Sequence, residues 1–339
     1  MSLPLILVLY VLSGAALVFF SIKCADYVDL LDKKTNLSGA FIGGVILAAV
    51  TSLPELVTSI SSIYVVKNPE LIIGNVLGSN LFNLCIFGSM TALSVKAFAK
   101  TTIGKSHLVT ILCTVAADIL VGVTLITGWG RIPVINVNAA SLIILVIYFI
   151  SLKFLSSDDA ENDEEDTSPL TVKQIVVRFV LMAMGLVTMS IVVTFFTDKL
   201  QEKLNLGASI AGALFLGIVT SLPELTSSIT LVRHKNFNAM VGNVLGSNMF
   251  NFTIFSIADF IAGKVKVYPE FGEITVAKVL GDDSMQMIIF GLISTALVAG
   301  SIFLQSRFKK KNPLQPAKKV IYVVLGLGVI ASYLISNFI

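Results

Sequence analysis

Charge is what this chain has least of. Only 13% of its 339 residues are Asp, Glu, Lys or Arg, about half the share of an ordinary soluble domain, while 55% are hydrophobic. Mean hydropathy is +0.90, which points to lipid as the solvent. Histidine occurs twice, and the three cysteines (Cys24, Cys85, Cys113) have no CxxC or Cys/His spacing, so neither a zinc site nor a disulfide framework is expected. H-E-x-x-H and G-x-G-D motifs are missing, and with them any recognisable catalytic set; an enzyme is not expected, nor a cofactor. A net charge of +3 gives no reason to expect nucleic acid as a partner. The run Leu3–Ile22 lacks a basic flank before it and an A-x-A-like site after it. It reads as a first transmembrane helix and not a cleaved signal.

What the chain does have is long apolar runs. Stretches able to cross a hydrocarbon core of roughly 30 Å fall at 3–22, 37–66, 70–94, 107–127, 132–154, 173–197, 206–232, 237–262, 285–305 and 319–338. The expected fold is therefore an all-α polytopic membrane protein of ten spans. The run 37–66 is too long for one straight crossing and predicts a tilted or broken helix. Most of the 24 Lys and Arg residues lie in loops after odd-numbered spans, which predicts those loops cytoplasmic and both termini outside, in the cell membrane. The acidic segment 156–168 (SSDDAENDEEDTS) cannot bury apolar surface. It reads as a solvated linker, with calcium sensing as an alternative.

The chain repeats itself. Thr51-Ser52-Leu53-Pro54-Glu55-Leu56 recurs as Thr220-Ser221-Leu222-Pro223-Glu224-Leu225, and Gly74-Asn75-Val76-Leu77-Gly78-Ser79-Asn80 recurs as Gly242 to Asn248. Phe-Asn follows two residues later in both copies. Duplication at a nearly constant offset divides the chain into a first five-helix repeat (1–155, α-repeat about 37–94), the linker 156–168, and a second repeat (169–339, α-repeat about 206–262). Five spans per half is an odd number, so the halves should be inverted, with a site at mid-membrane where they meet.

Glu55 and Glu224 fall inside apolar helices, where an ionised side chain costs several kcal/mol unless paired, and no intramembrane Lys or Arg stands ready. A mobile cation is the simplest partner. Pro54 and Pro223 each remove an N–H and clash with the carbonyl four residues back, at Val50 and Val219, freeing carbonyls near Ala48–Thr51 and Gly217–Thr220. Thr51, Ser52 and Glu55 share one helical face, as do Ser79 and Asn83; Thr220, Ser221, Glu224, Ser247 and Asn251 repeat the pattern. An all-oxygen set suits a hard cation such as calcium and argues against zinc, copper or iron. Gly74/Gly78 and Gly242/Gly246 read as close-packing faces.

At these residues the chain resembles the calcium/cation antiporter superfamily, specifically prokaryotic sodium/calcium exchangers, over essentially its whole length. The resemblance implies ligands at Ser52, Glu55, Ser79, Asn83, Ser221, Glu224, Ser247 and Asn251. Thr51, Thr220 and the carbonyls of Ala48 and Gly217 are implied as further contributors, chiefly for sodium. It implies calcium and sodium as transported ions exchanged by alternating access. Two departures stand out: Val50 and Val219 replace the Gly of the common G-T-S-L-P-E, and Asn251 stands where some archaeal members have Asp. Proton or potassium coupling is the alternative within the class, and a passive cation channel the alternative outside it.

Three features remain. Asp118, mid-span and without a mirror in the second half, reads as a bundle-facing structural hydrogen bond, with a transport or proton role as the alternative. His107 and His234 lie at loop–membrane boundaries and are expected to be solvated. Asp282 and Asp283 precede the ninth span and are expected to cap it.

Overall fold

A computed structural model of the chain describes residues 1–35, 49–104, 106–132, 137–155, 169–233, 236–262, 267, 282–309 and 315–338. Ala48, His234 and the segment 156–168 lie outside the described residues. The elements are α1 (Leu3–Thr35), α2 (Leu53–Tyr64), α3 (Glu70–Leu93), the short α4 (Val95–Lys100) and α5 (Ser106–Thr127). A two-residue antiparallel pair, β1 (Arg131–Ile132) and β2 (Val137–Asn138), leads to α6 (Ala139–Leu155). Then come α7 (Val172–Leu204), the bent pair α8 (Ala208–Thr220) and α9 (Leu222–Arg233), α10 (Phe237–Ala262), α11 (Asp283–Lys309) and α12 (Pro316–Phe338). Among the described residues seven helices are long and apolar enough to cross a membrane, or eight if α8 and α9 form one span bent by 43°. Apart from the β pair, the regular structure of the described residues is helical, and the chain is an all-helical, multi-pass membrane protein.

Helix ends differ from those expected of hydropathy alone. The apolar runs 3–22 and 173–197 become 33-residue helices, α1 and α7, each about 50 Å long at 1.5 Å per residue. Backbone hydrogen bonding does not require apolar side chains, so both helices continue through their charged tails. Lys23 pairs with Asp26 at 2.8 Å across one turn. In α7 a Thr171/Gln174 capping box fixes the start and Asn205, at φ 54°, ends the helix in the left-handed region. The fifth apolar run behaves oppositely. Its first residues form the β pair, and α6 begins only at Ala139. Asp259 of α10 fixes that start, accepting from Asn138 N at 2.6 Å and Ser141 Oγ at 2.7 Å. The 17 residues of α6 are thus fewer than a straight crossing needs.

The helices sort into centre and periphery by their surfaces. α3 and α10, which carry the G-N-V-L-G-S-N copies, are buried over most of their length; α1 and α7 pack along each other and expose most of their apolar residues. α3 touches α8, α10, α11 and α12, while α10 also contacts α5, α6 and α9. One core cluster is built around Val76, Leu77, Leu81, Phe252 and Phe255, so the two motif helices share it.

Candidate functional site

The repeated Pro fixes the local backbone. Without an N–H, Pro54 and Pro223 cannot continue the ladder, so each is accommodated in the first turn of a new helix, α2 or α9. The serine two residues earlier sits at the break: Ser52 at φ −91°, ψ 8° and Ser221 at φ −91°, ψ 6°. Leu56 N donates to Ser52 O and Leu225 N to Ser221 O, both at 3.2 Å. Two segments 169 positions apart therefore break alike, and each delivers its Glu in the first turn of the following half-helix. Upstream of the second break the chain adopts a π-helical stretch, Gly212–Gly217. Such π turns shift the backbone pairing from i+4 to i+5 and are frequent at functional sites.

The glutamates are then exchanged between repeats. Ser221 Oγ donates to Glu55 Oε1 at 3.0 Å, and Ser52 Oγ donates to Glu224 Oε1 at 3.3 Å. Ser247 Oγ adds a donation to Glu224 Oε1 at 3.4 Å. Thr220 and Ser79 also face the Glu55 carboxylate, and Thr51 the Glu224 carboxylate. Ser79 Oγ lies 3.3 Å from Gly217 O and 3.4 Å from Thr220 Oγ1. Each carboxylate thus has one oxygen held by a serine hydroxyl from the opposite half.

The other oxygen has nothing. Glu55 Oε2 and Glu224 Oε2 are buried without a hydrogen-bond partner, and so are Asn83 Oδ1 and Asn251 Oδ1. The amides are oriented by their nitrogens: Asn83 Nδ2 donates to Asn248 Oδ1 at 3.0 Å, and Asn251 Nδ2 to Asn80 Oδ1 at 3.1 Å. Four acceptors related by the repeat, all on side chains with 0% exposure, are left without donors. Buried acceptors rarely remain unsatisfied. A hard cation is the kind of partner such acceptors take, and serine, threonine and carbonyl oxygens lie among them, the ligand types that calcium uses. Among the described residues no group of three or more His, Cys, Asp or Glu side chains is assembled, so such a site rests on two carboxylates and neutral oxygens.

The structure brings together Thr51, Ser52, Glu55, Ser79, Gly217, Thr220, Ser221, Glu224 and Ser247 through these contacts; Asn83 and Asn251, four residues beyond Ser79 and Ser247 on α3 and α10, are bonded instead to Asn248 and Asn80, and Ala48 lies outside the described residues. Four further asparagines matter that spacing alone did not assign. Asn80 and Asn248 orient the amides just described, the latter also donating to Asn80 O at 3.2 Å. Asn75 Nδ2 reaches Glu55 O at 3.0 Å, Thr58 Oγ1 at 3.0 Å and Ser59 Oγ at 2.9 Å, bracing the start of α2. Asn243 Nδ2 does the same for α9 through Glu224 O, Ser227 Oγ and Ser228 Oγ. Their signal was in the sequence, as the identical Asn in both motif copies. Asn75→Ala is expected to cost about 1–3 kcal/mol, the penalty of stranding buried acceptors, and to loosen the Glu55 backbone. Thermal unfolding in detergent would register the loss.

Gly74 and Gly78 pack as expected. A Cβ at Gly74 would stand 1.9 Å from Ser209 O, and one at Gly78 2.5 Å from Ala213 Cα. α3 and α8, one from each half, therefore meet backbone to backbone. Asp282 caps α11 by accepting from Met285 N at 3.1 Å. His107, by contrast, is not solvated. Asn238 Oδ1 holds its Nε2 at 3.0 Å, and Gly242 lets its ring approach α10, leaving it 4% exposed. Asp118 is buried, but no hydrogen bond to a described residue accompanies it, so the expected structural bond is not found among them.

A family model described as sodium/calcium exchanger protein matches residues 5–156 and 174–339. The chain belongs to this family. Among sequence relatives, an uncharacterized membrane protein of Methanocaldococcus jannaschii is 26% identical over 250 residues, which span 71% of this chain and 76% of that one. Among solved structures, the H+/Ca2+ exchanger CAX superposes with a TM-score of 0.63 at 14% identity, covering 98% of this chain and 89% of its own. The sodium-calcium exchanger NCX_Mj gives 0.55 at 21% identity, covering 97% and 99%. At these identities the likeness to both structures is one of fold. Membership in the family agrees with a transporter and with the missing catalytic set.

Proposed function

We propose that this protein is a secondary active antiporter that exchanges sodium for calcium by alternating access. The observation that carries the reading is the set of four buried, donor-free oxygens on Glu55, Glu224, Asn83 and Asn251. Family membership and the likeness to NCX_Mj, a sodium-calcium exchanger, support it. In this reading Glu55 and Glu224 bind the cation directly, Asn83 and Asn251 add neutral oxygens, and Ser52, Ser79, Ser221 and Ser247 orient the carboxylates. Thr51, Thr220 and the carbonyls of Ala48 and Gly217 serve the sodium-loaded state. Two buried carboxylates without an ion repel each other, so the unloaded site resists crossing the membrane. Calcium and sodium then compete for one set of oxygens, which is the physical content of exchange.

The architecture proposed around that site is ten spans in two inverted five-helix halves, 1–155 and 169–339, joined by the acidic linker 156–168. The matching backbone angles at Ser52 and Ser221 support a structural duplication. The excess of Lys and Arg in loops after odd spans favours both termini outside the cell membrane. Proton coupling is the second reading, favoured by the likeness to CAX, described as an H+/Ca2+ exchanger.

Calcium flux into proteoliposomes under separate sodium, potassium and proton gradients distinguishes these. A sodium gradient is expected to drive calcium uptake against its own gradient. Uptake driven only by protons would replace the leading reading with the second, and conductance far above carrier turnover would make the protein a channel.

A further inference from the structure

Exchange at Glu55 and Glu224 leaves Asp118 without a task. At 1.5 Å per residue it lies roughly 18 Å along α5 from Ser106, near the middle of a bilayer. The side chain is 4% exposed and faces Gly291 of α11: a Cβ there would stand 3.7 Å from Oδ1 and 3.8 Å from Oδ2. Even a side-chain carbon at 291 would meet the carboxyl only in ordinary van der Waals contact, so α11 covers the group without crowding it. Ala117, Val121, Met285 and Ile288 of the same two helices belong to the apolar core.

No described group pairs with it. α5 packs against α6, α10 and α11. The titratable or charged residues of α6 are Tyr148, whose ring meets Phe250, and Lys153 near the far end. α10 has Asp259, engaged with Asn138 and Ser141, and α11 has Asp283 at its start and Arg307 and Lys309 near its end. An ionised carboxylate so isolated would cost several kcal/mol. A single carboxylate would leave half of calcium's charge uncompensated, whereas one proton neutralises it fully. The cation that suits it is a proton.

A polar stripe leads to it. With 100° per residue, His107, Thr114 and Asp118 fall within about 40° of one another on α5, and Thr110 lies beside them. His107 is 4% exposed and Thr110 and Thr114 are each 1% exposed, so the stripe is inside the bundle. Across the interface, one turn beyond Gly291, α11 supplies Ser294 and Thr295, whose hydroxyls are buried without a partner. His107 stands at the loop end of the stripe, where Asn238 Oδ1 holds both its Nε2 and the Gly104 N–H.

We propose that Asp118 is a proton-binding site separate from the cation site, loaded through the His107, Thr110 and Thr114 stripe. The carboxyl holds its proton while α5 and α11 are packed, and returns it along the stripe when the pair separates and water enters. Conformational change at the exchange site is thereby linked to proton occupancy. The transport consequence rests on the exchange reading; proton binding itself does not.

The test uses the purified full-length protein. Infrared spectra of wild type minus Asp118→Asn are expected to contain a protonated-carboxyl C=O band that titrates with bulk pH. In proteoliposomes the pH profile of calcium uptake is expected to lose one titration step in the variant, while apparent calcium affinity stays within about twofold. Identical carboxyl bands, or an unchanged pH profile in an active variant, would overturn the proposal. Should Asp118→Asn fail to fold, Thr114→Val decides: the carboxyl band is expected to respond about tenfold more slowly to a pH jump, and a wild-type response would overturn the stripe. Because the infrared measurement needs no transport, absence of calcium exchange would sink the antiport reading without touching this one.

Discussion

Glu55→Gln and Glu224→Gln are each expected to lower calcium affinity by at least about a hundredfold and to abolish exchange. The substitution is nearly isosteric and keeps an oxygen able to accept from Ser221 or from Ser52 and Ser247. What it removes is half of the negative charge facing the ion. Breaking one side of a buried charge pair costs about 3–5 kcal/mol, and 1.4 kcal/mol is a factor of ten. The two variants should resemble each other, because the residues occupy equivalent places: both are fully buried, both lie in the first turn after the break, and both have one donor-free oxygen.

Stability should move the opposite way. With no ion bound, two buried carboxylates repel, so either Gln variant is expected to melt at the wild-type temperature or above it when calcium and sodium are absent. Adding calcium raises the wild-type melting temperature in proportion to the logarithm of its concentration over Kd. In the variants that rise should vanish over the same range. Measuring both temperatures separates a lost ligand from a damaged fold. A variant that keeps the calcium-dependent rise would move the cation elsewhere.

Which parts of this were legible in sequence follows from which were local. The break at Pro54 and Pro223, the glutamate placement and the close-packing Gly74 and Gly78 depend on neighbours within one or two turns, and the repeat announced all of them. The asparagine network did not follow, because Asn80, Asn83, Asn248 and Asn251 find their partners across helices from opposite halves. Their type and spacing say that they can donate, not to what. Helix ends were obscured for another reason: hydropathy marks where lipid stops, whereas caps at Thr171 and Asn205 mark where the helix does. His107 was misread because only the fold brings Asn238 and Gly242 over it.

The second large effect concerns the seam between halves. Gly74→Ala is expected to destabilise the protein by about 3 kcal/mol or more, beyond the usual range for one added methyl group in a packed core. The reason is what the methyl meets. Its carbon would fall 1.9 Å from Ser209 O and 2.8 Å from Ala213 N, backbone atoms of α8 that cannot rotate aside. Gly212 returns the contact, with a Cβ there 2.5 Å from Leu71 O and 3.0 Å from Gly74 Cα. Relief requires moving α8 bodily from α3, which also draws Gly217 O and Thr220 from Ser79. Transport should therefore fall together with melting temperature, unlike in the glutamate variants, where transport is lost with no fall in the ion-free melting temperature. Gly300→Ala is the control. A Cβ there meets nothing within 4 Å, so the better helix former should be neutral or stabilising by up to about 1 kcal/mol. Equal melting temperatures for the two alanine variants would mean that α3 and α8 do not meet at Gly74 as described. A stable Gly74→Ala protein with intact transport would further show that the seam can open without cost, and the coupling of the two halves would have to run through other contacts.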